Sequence, residues 1–318
     1  MRMITKKGGC VMLYDVAIIG AGPSGLTAGL YAARAKLSTV ILEKMFPGGQ
    51  AALTHNIENY PGFTEGVNGA ELTDAMKKQA ERFGAEFING DVDKIDKNND
   101  LFTVFMKSES IKANSVVLAT GAQPRKVGVK GEKEFTGRGI SYCATCDGAF
   151  YKDKPIAIVG GGDTAIQEAL YLTRFASSIY VIHRRNELRA TKILQERAFN
   201  NEKIKFIWDS VVNEINGKDA VEEVVVENVK TGKLDSISVD GVFIAIGYTA
   251  NTAFVKDLVQ LDEQGYVITD DRMTTKTPGL FAAGDIRQKP LRQVVTAVAD
   301  GAIAAAEAGR FLENKNHS

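Results

Sequence analysis

Val16-Ala17-Ile18-Ile19-Gly20-Ala21-Gly22-Pro23-Ser24-Gly25 reads as an apolar strand running straight into a glycine-rich turn. The arrangement returns at Ile156-Ala157-Ile158-Val159-Gly160-Gly161-Gly162-Asp163-Thr164-Ala165. The predicted strands at 15–19 and 155–159 are each followed by a helical stretch (26–35 and 166–175) and a second strand (38–42 and 178–182). Glu43 stands 23 positions after Gly20, and His183 stands 23 positions after Gly160. Each copy continues with hairpin-like strands, 102–106 and 221–226, and a closing apolar strand, 116–120 before Gly121 and 242–246 before Gly247. One glycine fingerprint alone is weak; two at the same spacing mark a pair of Rossmann-type units. The first glycine allows the sharp bend, and the second lets backbone approach a diphosphate. The third position, Gly25 or Ala165, lets helix sit on strand, with the helix N-terminus facing the phosphates.

The second copy interrupts the first. Pro124 marks an exit after Gly121, and 248–252 reads as a return linker. The tail, Thr277 to Asp285 with a helix from Arg292 to Leu312, has no expected counterpart in the second copy. The expected fold is α/β, with two Rossmann-like, three-layer ββα dinucleotide-binding domains, the second inserted into the first. Residues 1–124 with 252–318 form one domain and residues 125–251 the other. Two chain crossings suit a hinge.

The residue after the second strand discriminates nucleotides. A carboxylate there accepts hydrogen bonds from ribose hydroxyls and repels a 2′-phosphate, so Glu43 points to FAD or NAD in copy one. Copy two carries His183-Arg184-Arg185-Asn186-Glu187-Leu188-Arg189. Arg184, Arg185 and Arg189 form a cationic cluster whose planar donors suit a 2′-phosphate, so NADPH is expected there in preference to NADH. The candidate cofactor residues are Gly20, Gly22, Pro23, Ser24, Gly25, Glu43, Lys44 and Gly121 in copy one. In copy two they are Gly160, Gly161, Gly162, Asp163, Thr164, His183, the three arginines, Ile246 and Gly247.

Between the fingerprints lies Cys143-Ala144-Thr145-Cys146. Two cysteines two residues apart form either an exchangeable disulfide or half of a metal knuckle. Only Cys10, His55, His183 and His317 remain as further Cys or His ligands, none at zinc-site spacing, which favours redox chemistry and no metal. Lys+Arg and Asp+Glu both number 39, so charge gives no reason to expect nucleic acid or an anionic membrane. No apolar run approaches the ~18–20 residues of a membrane span. Met1 to Val11 is basic and then apolar, but Asp15 interrupts the pattern before Val16–Ile19 enters the turn. A first strand preceded by a loose extension is therefore expected, in a cytoplasmic protein.

Taken in order, Gly20–Gly25, Gly48-Gly49-Gln50, Glu58-Asn59-Tyr60-Pro61-Gly62, Cys143-Ala144-Thr145-Cys146-Asp147, Gly160–Ala165, His183–Arg189, Gly284-Asp285 and Arg292-Gln293 resemble the low-molecular-weight thioredoxin reductases of the bacterial type. The resemblance covers about residues 14–313. It implies FAD in copy one, with Gly49, Gln50 and Asn59 along the flavin moiety and Asp285 on the ribityl chain. Gly284, Arg292, Gln293 and Val294 join that set, the helix N-terminus there facing the flavin edge that gathers negative charge on reduction.

By the same resemblance, electrons pass from NADPH to FAD, to the Cys143–Cys146 disulfide and on to thioredoxin or a thioredoxin-like protein. Cys146 is then the sulfur beside the flavin and Cys143 the one that attacks the partner. Asp147 reads as general acid/base for the thiols, or as a helix N-cap. The inserted domain is expected to rotate on its two linkers, and a homodimer is implied. Where members of the family often carry two aromatics after the motif, this chain has Ala149-Phe150, which weakens an apolar docking point. Alternatives are a reductase of another thioredoxin-like protein and a flavin-based redox sensor.

Overall fold

The computed structural model describes residues 2–6, 9–54, 56–107 and 109–316. It divides into two compact units, Met1–Gln123 with Thr249–Ser318, and Pro124–Tyr248. The first unit opens with β1 (Arg2–Lys6) and β2 (Gly9–Ile19), paired antiparallel from Arg2 opposite Leu13 to Lys6 opposite Gly9. Thus the stretch expected to be a loose extension includes a strand, although Met1, Lys7, Gly8 and the side chains up to Val11 lie outside the described residues.

There follow α1 (Pro23–Arg34), β3 (Thr39–Glu43), the one-turn α2 (Gly49–Ala52), α3 (Gly69–Arg82) and β4 (Glu86–Asn89). Then come β5 (Val92–Asn98), β6 (Leu101–Met106) and β7 (Ser110–Leu118). Strands β4, β3, β2 and β7 are parallel neighbours, while β5 and β6 join β7 as an antiparallel meander. Val16 and Ile18 pack into the helix-side core with Leu26, Ala28 and Ala32 of α1. Ala17 and Ile19 pack on the opposite face with Phe102 and Val104. Burial of both faces explains why this strand reads as a continuous apolar run.

The chain leaves through β8 (Ala122–Pro124) and builds the second unit: α4 (Glu132–Phe135), β9 (Ile140–Ser141), α5 (Ala144–Asp147), β10 (Pro155–Val159), α6 (Asp163–Leu172), β11 (Ser178–Ile182), α7 (Lys192–Phe199) and β12 (Ile204–Ile207). Strands β13 (Ser210–Gly217), β14 (Val221–Asn228), β15 (Leu234–Ser238) and β16 (Gly241–Ile244) complete it. The parallel sheet runs β12-β11-β10-β16-β9, and β13, β14 and β15 form a separate antiparallel sheet. Ile156 and Ile158 meet Ile166, Ala169 and Leu172 on the helix side. Ala157 and Val159 meet Val212, Ile215 and Val224 on the other side, which makes the three layers.

The chain returns through β17 (Tyr248–Ala250), paired with β8, and ends in β18 (Leu280–Ala282) and α8 (Val294–Asn316). β18 lies parallel on β7, and α8 packs on α1 through small residues. A Cβ on Gly301 would come within 2.1 Å of Ser24 O, so only glycine permits that approach. The Rossmann-like pair with one member inserted in the other is therefore as expected. One expectation fails: the tail does have a counterpart. β9 occupies on β16 the place that β18 occupies on β7, and α5 follows β9 as α8 follows β18. The inserted unit lays down its edge strand on entry, whereas the first unit reaches its own only after the insertion.

Candidate active site

In the first unit the turn after β2 tolerates little but glycine at two positions. Gly20 has φ +102°, and a Cβ on Gly25 would lie 1.9 Å from Gly20 O. At Gly22 nothing lies within 4 Å of a Cβ position, leaving backbone open to a phosphate group. Gly25→Ala is expected to push α1 off its strand at a cost of about 1–3 kcal/mol and to yield colourless protein with a lowered melting temperature. Absorbance at flavin wavelengths and a thermal melt check this; a yellow variant of unchanged stability contradicts it.

Around that turn the structure gathers most of the residues proposed for the first nucleotide. Pro23 is the first residue of α1, where its fixed φ suits the helix. Glu43 accepts the Ala21 N–H at 2.8 Å and the Met45 N–H at 3.1 Å, which stations its carboxylate at the loop with Lys44 exposed beside it. Gly49 starts α2 close to Gly22, and Gln50 follows it, exposed. Gly284 packs on Ser24, and Asn59 Nδ2 donates to Gln293 Oε1 at 2.9 Å. Val294 begins α8, and Gly121 accepts the Asn251 N–H where the chain crosses. The Arg292 guanidinium lies 4.0 Å above the Tyr266 ring.

Burial raises the Asp285 carboxyl above the ordinary range, and the charges of Lys289 and Arg292 pull it back. Beneath it lies a residue the sequence reading missed. Buried Asp300 accepts Gly284 N–H at 3.0 Å, Lys289 Nζ at 2.8 Å and Arg287 Nη1 at 3.2 Å, tying the Gly284–Asp285 turn to α8. Its one signal was a lone carboxylate in the otherwise uncharged stretch 294–306.

The second unit carries a cleft of about 500 Å³ whose walls include Gly160, Gly161, Gly162, Asp163, Thr164, His183, Arg184, Arg189, Ile246 and Gly247. The Arg189 N–H donates to Gly161 O at 2.7 Å, locking the arginine loop to the glycine turn. Asp163 accepts the Thr191 N–H at 2.7 Å. His183 is buried against Gly161, and burial, reinforced by the neighbouring arginines, lowers its pKa. Arg185 is exposed and not among the lining residues. Arg125 and Lys126 also line the cleft, although in the sequence they mark only the start of the second domain.

Cys143 and Cys146 form a disulfide. Cys143 is the residue before α5, and the Cys146 N–H is shared between its sulfur and its carbonyl oxygen, each at 3.2 Å. Both cysteines are half-buried, and Thr145 between them is exposed. Asp147 ends α5 without capping the 3-10 turn at Gly148–Tyr151, so the N-cap alternative does not hold. Its carboxylate instead accepts Ser141 Oγ at 2.6 Å. Burial raises the Asp147 pKa, and the bond from Ser141 opposes that shift. Ala149 and Phe150 are exposed.

Five buried side-chain polar atoms lack a hydrogen-bond partner among the described residues: Ser24 Oγ, Ser115 Oγ, His183 Nε2, Asp285 Oδ1 and Arg292 Nε. Such atoms are costly, and all except that of Ser115 belong to residues proposed for the two nucleotide sites. The residues present thus fit a dinucleotide in each unit.

The pyridine nucleotide-disulphide oxidoreductase family matches over residues 14–301. The chain is similar to the thioredoxin reductase of Bacillus subtilis (strain 168), with 50% identity over 95% of this chain and 95% of the relative. To that of Peptoclostridium litorale it is 48% identical, over 95% and 98%. The crystal structure of thioredoxin reductase from Streptococcus pyogenes MGAS5005 superposes with a TM-score of 0.91 at 52% identity, covering 95% of this chain and 99% of that one. No helix among the described residues is long and apolar enough to cross a membrane. Fold, cysteine pair and relatives converge: the chain belongs to the pyridine nucleotide-disulphide oxidoreductases, enzymes that use FAD and NADPH.

Proposed function

We propose that this enzyme is a thioredoxin reductase, reducing the disulfide of thioredoxin with electrons from NADPH. The observation that carries the reading is the Cys143–Cys146 disulfide with Asp147 beside it, in the same unit as an arginine-lined nucleotide cleft. On this reading the unit 1–123 with 249–318 holds FAD and the unit 124–248 holds NADPH. The protein acts in the cytoplasm as a homodimer.

When bound, FAD and NADPH supply the two-electron chemistry that converts the disulfide to a dithiol. The chain's own residues then conduct the exchange. An N–H aimed at a sulfur favours its thiolate, so Cys143, which accepts the Cys146 N–H, is the attacking sulfur. The Asp147 carboxylate takes the proton as the Cys143 thiol ionises. Cys143 Sγ bonds to one partner sulfur, the partner S–S bond breaks, and the departing thiolate receives that proton from Asp147. Cys146, as its own thiolate, closes on Cys143 Sγ, re-forming the disulfide and releasing the partner's second sulfur as a thiolate that takes up the Cys146 proton. Glu43 and the open backbone of Gly22 bind and orient one dinucleotide; Arg184, Arg189 and Gly162 bind the other.

Anaerobic mixing tests the proposal. NADPH should bleach the flavin, and oxidised thioredoxin should then restore its colour with release of free thiols. Bleaching without any thioredoxin reduction would overturn the substrate assignment. Ala149 favours one second reading, a thioredoxin-like partner with a smaller apolar contact, which the same assay ranks by kcat/KM.

A further inference from the structure

Ser141 ends β9, is buried, and stands two residues before Cys143. Its hydroxyl oxygen accepts the Cys143 N–H at 3.0 Å, and the hydroxyl donates to Asp147 Oδ2 at 2.6 Å. The Cys143 carbonyl, 3.3 Å away, is its other acceptor. One small side chain therefore grips both the backbone of the attacking cysteine and the carboxylate that handles its proton. We propose that Ser141 is a positioning residue for thiol–disulfide exchange, holding Asp147 ionised against the Cys143 segment and so setting the pH at which exchange begins. This rests on the acid/base reading of Asp147.

The charge surroundings leave this task to Ser141. The 3-10 turn after Asp147 brings the exposed Lys152 and Tyr151, whose pKa burial and the charges of Asp147 and of Asp240, just before β16, push up to about 12. α6, packed against α5, brings Tyr171 beside Gly148, and Glu168 lies one turn earlier on the same face. Burial pushes Glu168 up to about 7. Arg174 is held over the Tyr171 ring at 5.3 Å. Facing groups on these elements are thus mainly neutral or acidic, and the short O–H···O contact is the charge-assisted bond that favours carboxylate over acid.

The sign follows. Asp147 must be ionised to accept the thiol proton, so the exchange rate falls as pH drops through its pKa. Removing a donor to the carboxylate raises that pKa and moves the acid limb to higher pH. The test is the pH profile of kcat/KM for thioredoxin, measured on the FAD-loaded enzyme with Ser141→Ala, Ser141→Thr, Asp147→Asn, Glu168→Gln and the Ser141→Ala/Asp147→Asn pair. Ser141→Ala should shift the acid limb upward by about one pH unit, the effect of losing one hydrogen bond to a charged group. Ser141→Thr should restore it, and the double variant should match Asp147→Asn alone. A lower rate at every pH with an unmoved limb would reduce Ser141 to a structural role and overturn the inference. So would loss of the acid limb in Glu168→Gln, which would assign the limb to Glu168 instead. If Asp147→Asn keeps the wild-type limb, the Asp147 reading itself fails; if it loses the limb while Ser141→Ala does not move it, only the Ser141 inference fails. Should Ser141→Ala not fold, Ser141→Gly carries the same prediction.

Discussion

Cys143→Ser is expected to lower thioredoxin reduction by a factor on the order of 10⁴, the scale on which loss of a nucleophile disables an enzyme. NADPH should still bleach the flavin of that variant, because the nucleotide turns lie on other elements. Cys146→Ser is expected to be equally inactive for a different reason: the mixed disulfide with the partner forms through Cys143 and cannot resolve. Trapping separates the two. A covalent adduct with thioredoxin, released by dithiothreitol, should accumulate with Cys146→Ser and not with Cys143→Ser. The opposite pattern would exchange the roles of the two sulfurs, against the direction of the Cys146 N–H bond.

The second large effect concerns nucleotide choice. Arg184 and Arg189 line the cleft of the second unit, and a hydrogen bond to a charged group contributes about 1.5–3 kcal/mol. Arg184→Ala/Arg189→Ala should therefore raise the KM for NADPH by about 10²-fold or more, leaving the weaker use of NADH nearly unchanged. Arg185→Ala should cost less than tenfold, since that side chain is exposed and not part of the cleft wall. Stopped-flow reduction of the flavin by each nucleotide measures both. Equal losses for NADPH and NADH would mean that the arginines do not read the 2′-phosphate.

The parts of the fold legible in the sequence were those that one rule decides locally. A buried parallel strand must be apolar on both faces, and a turn that bends onto a helix must carry glycine. Val16–Gly25 and Ile156–Ala165 therefore announce themselves. The edge strand β9 escaped because two residues, Ile140 and Ser141, leave no period to count. Its kinship with β18 is a matter of spatial order, not chain order. Asp300 escaped because its three partners converge only once α8 packs beside the Gly284 turn. Arg125 and Lys126 carry no motif, and only the path of the chain after β8 brings them to the cleft wall. The cationic motif after β11 was legible as a cluster, but which of its members face inward depends on the Arg189–Gly161 backbone bond that closes the loop.

Every step proposed for this enzyme requires that Cys143 and Cys146 exchange electrons with the bound flavin. An anaerobic reductive titration counts those electrons. The wild-type enzyme should take up one equivalent of reductant for the flavin and a second for the disulfide, while Cys143→Ser and Cys146→Ser each take up only the first. If the wild-type enzyme and the two variants consumed the same single equivalent, the disulfide would lie outside the electron path.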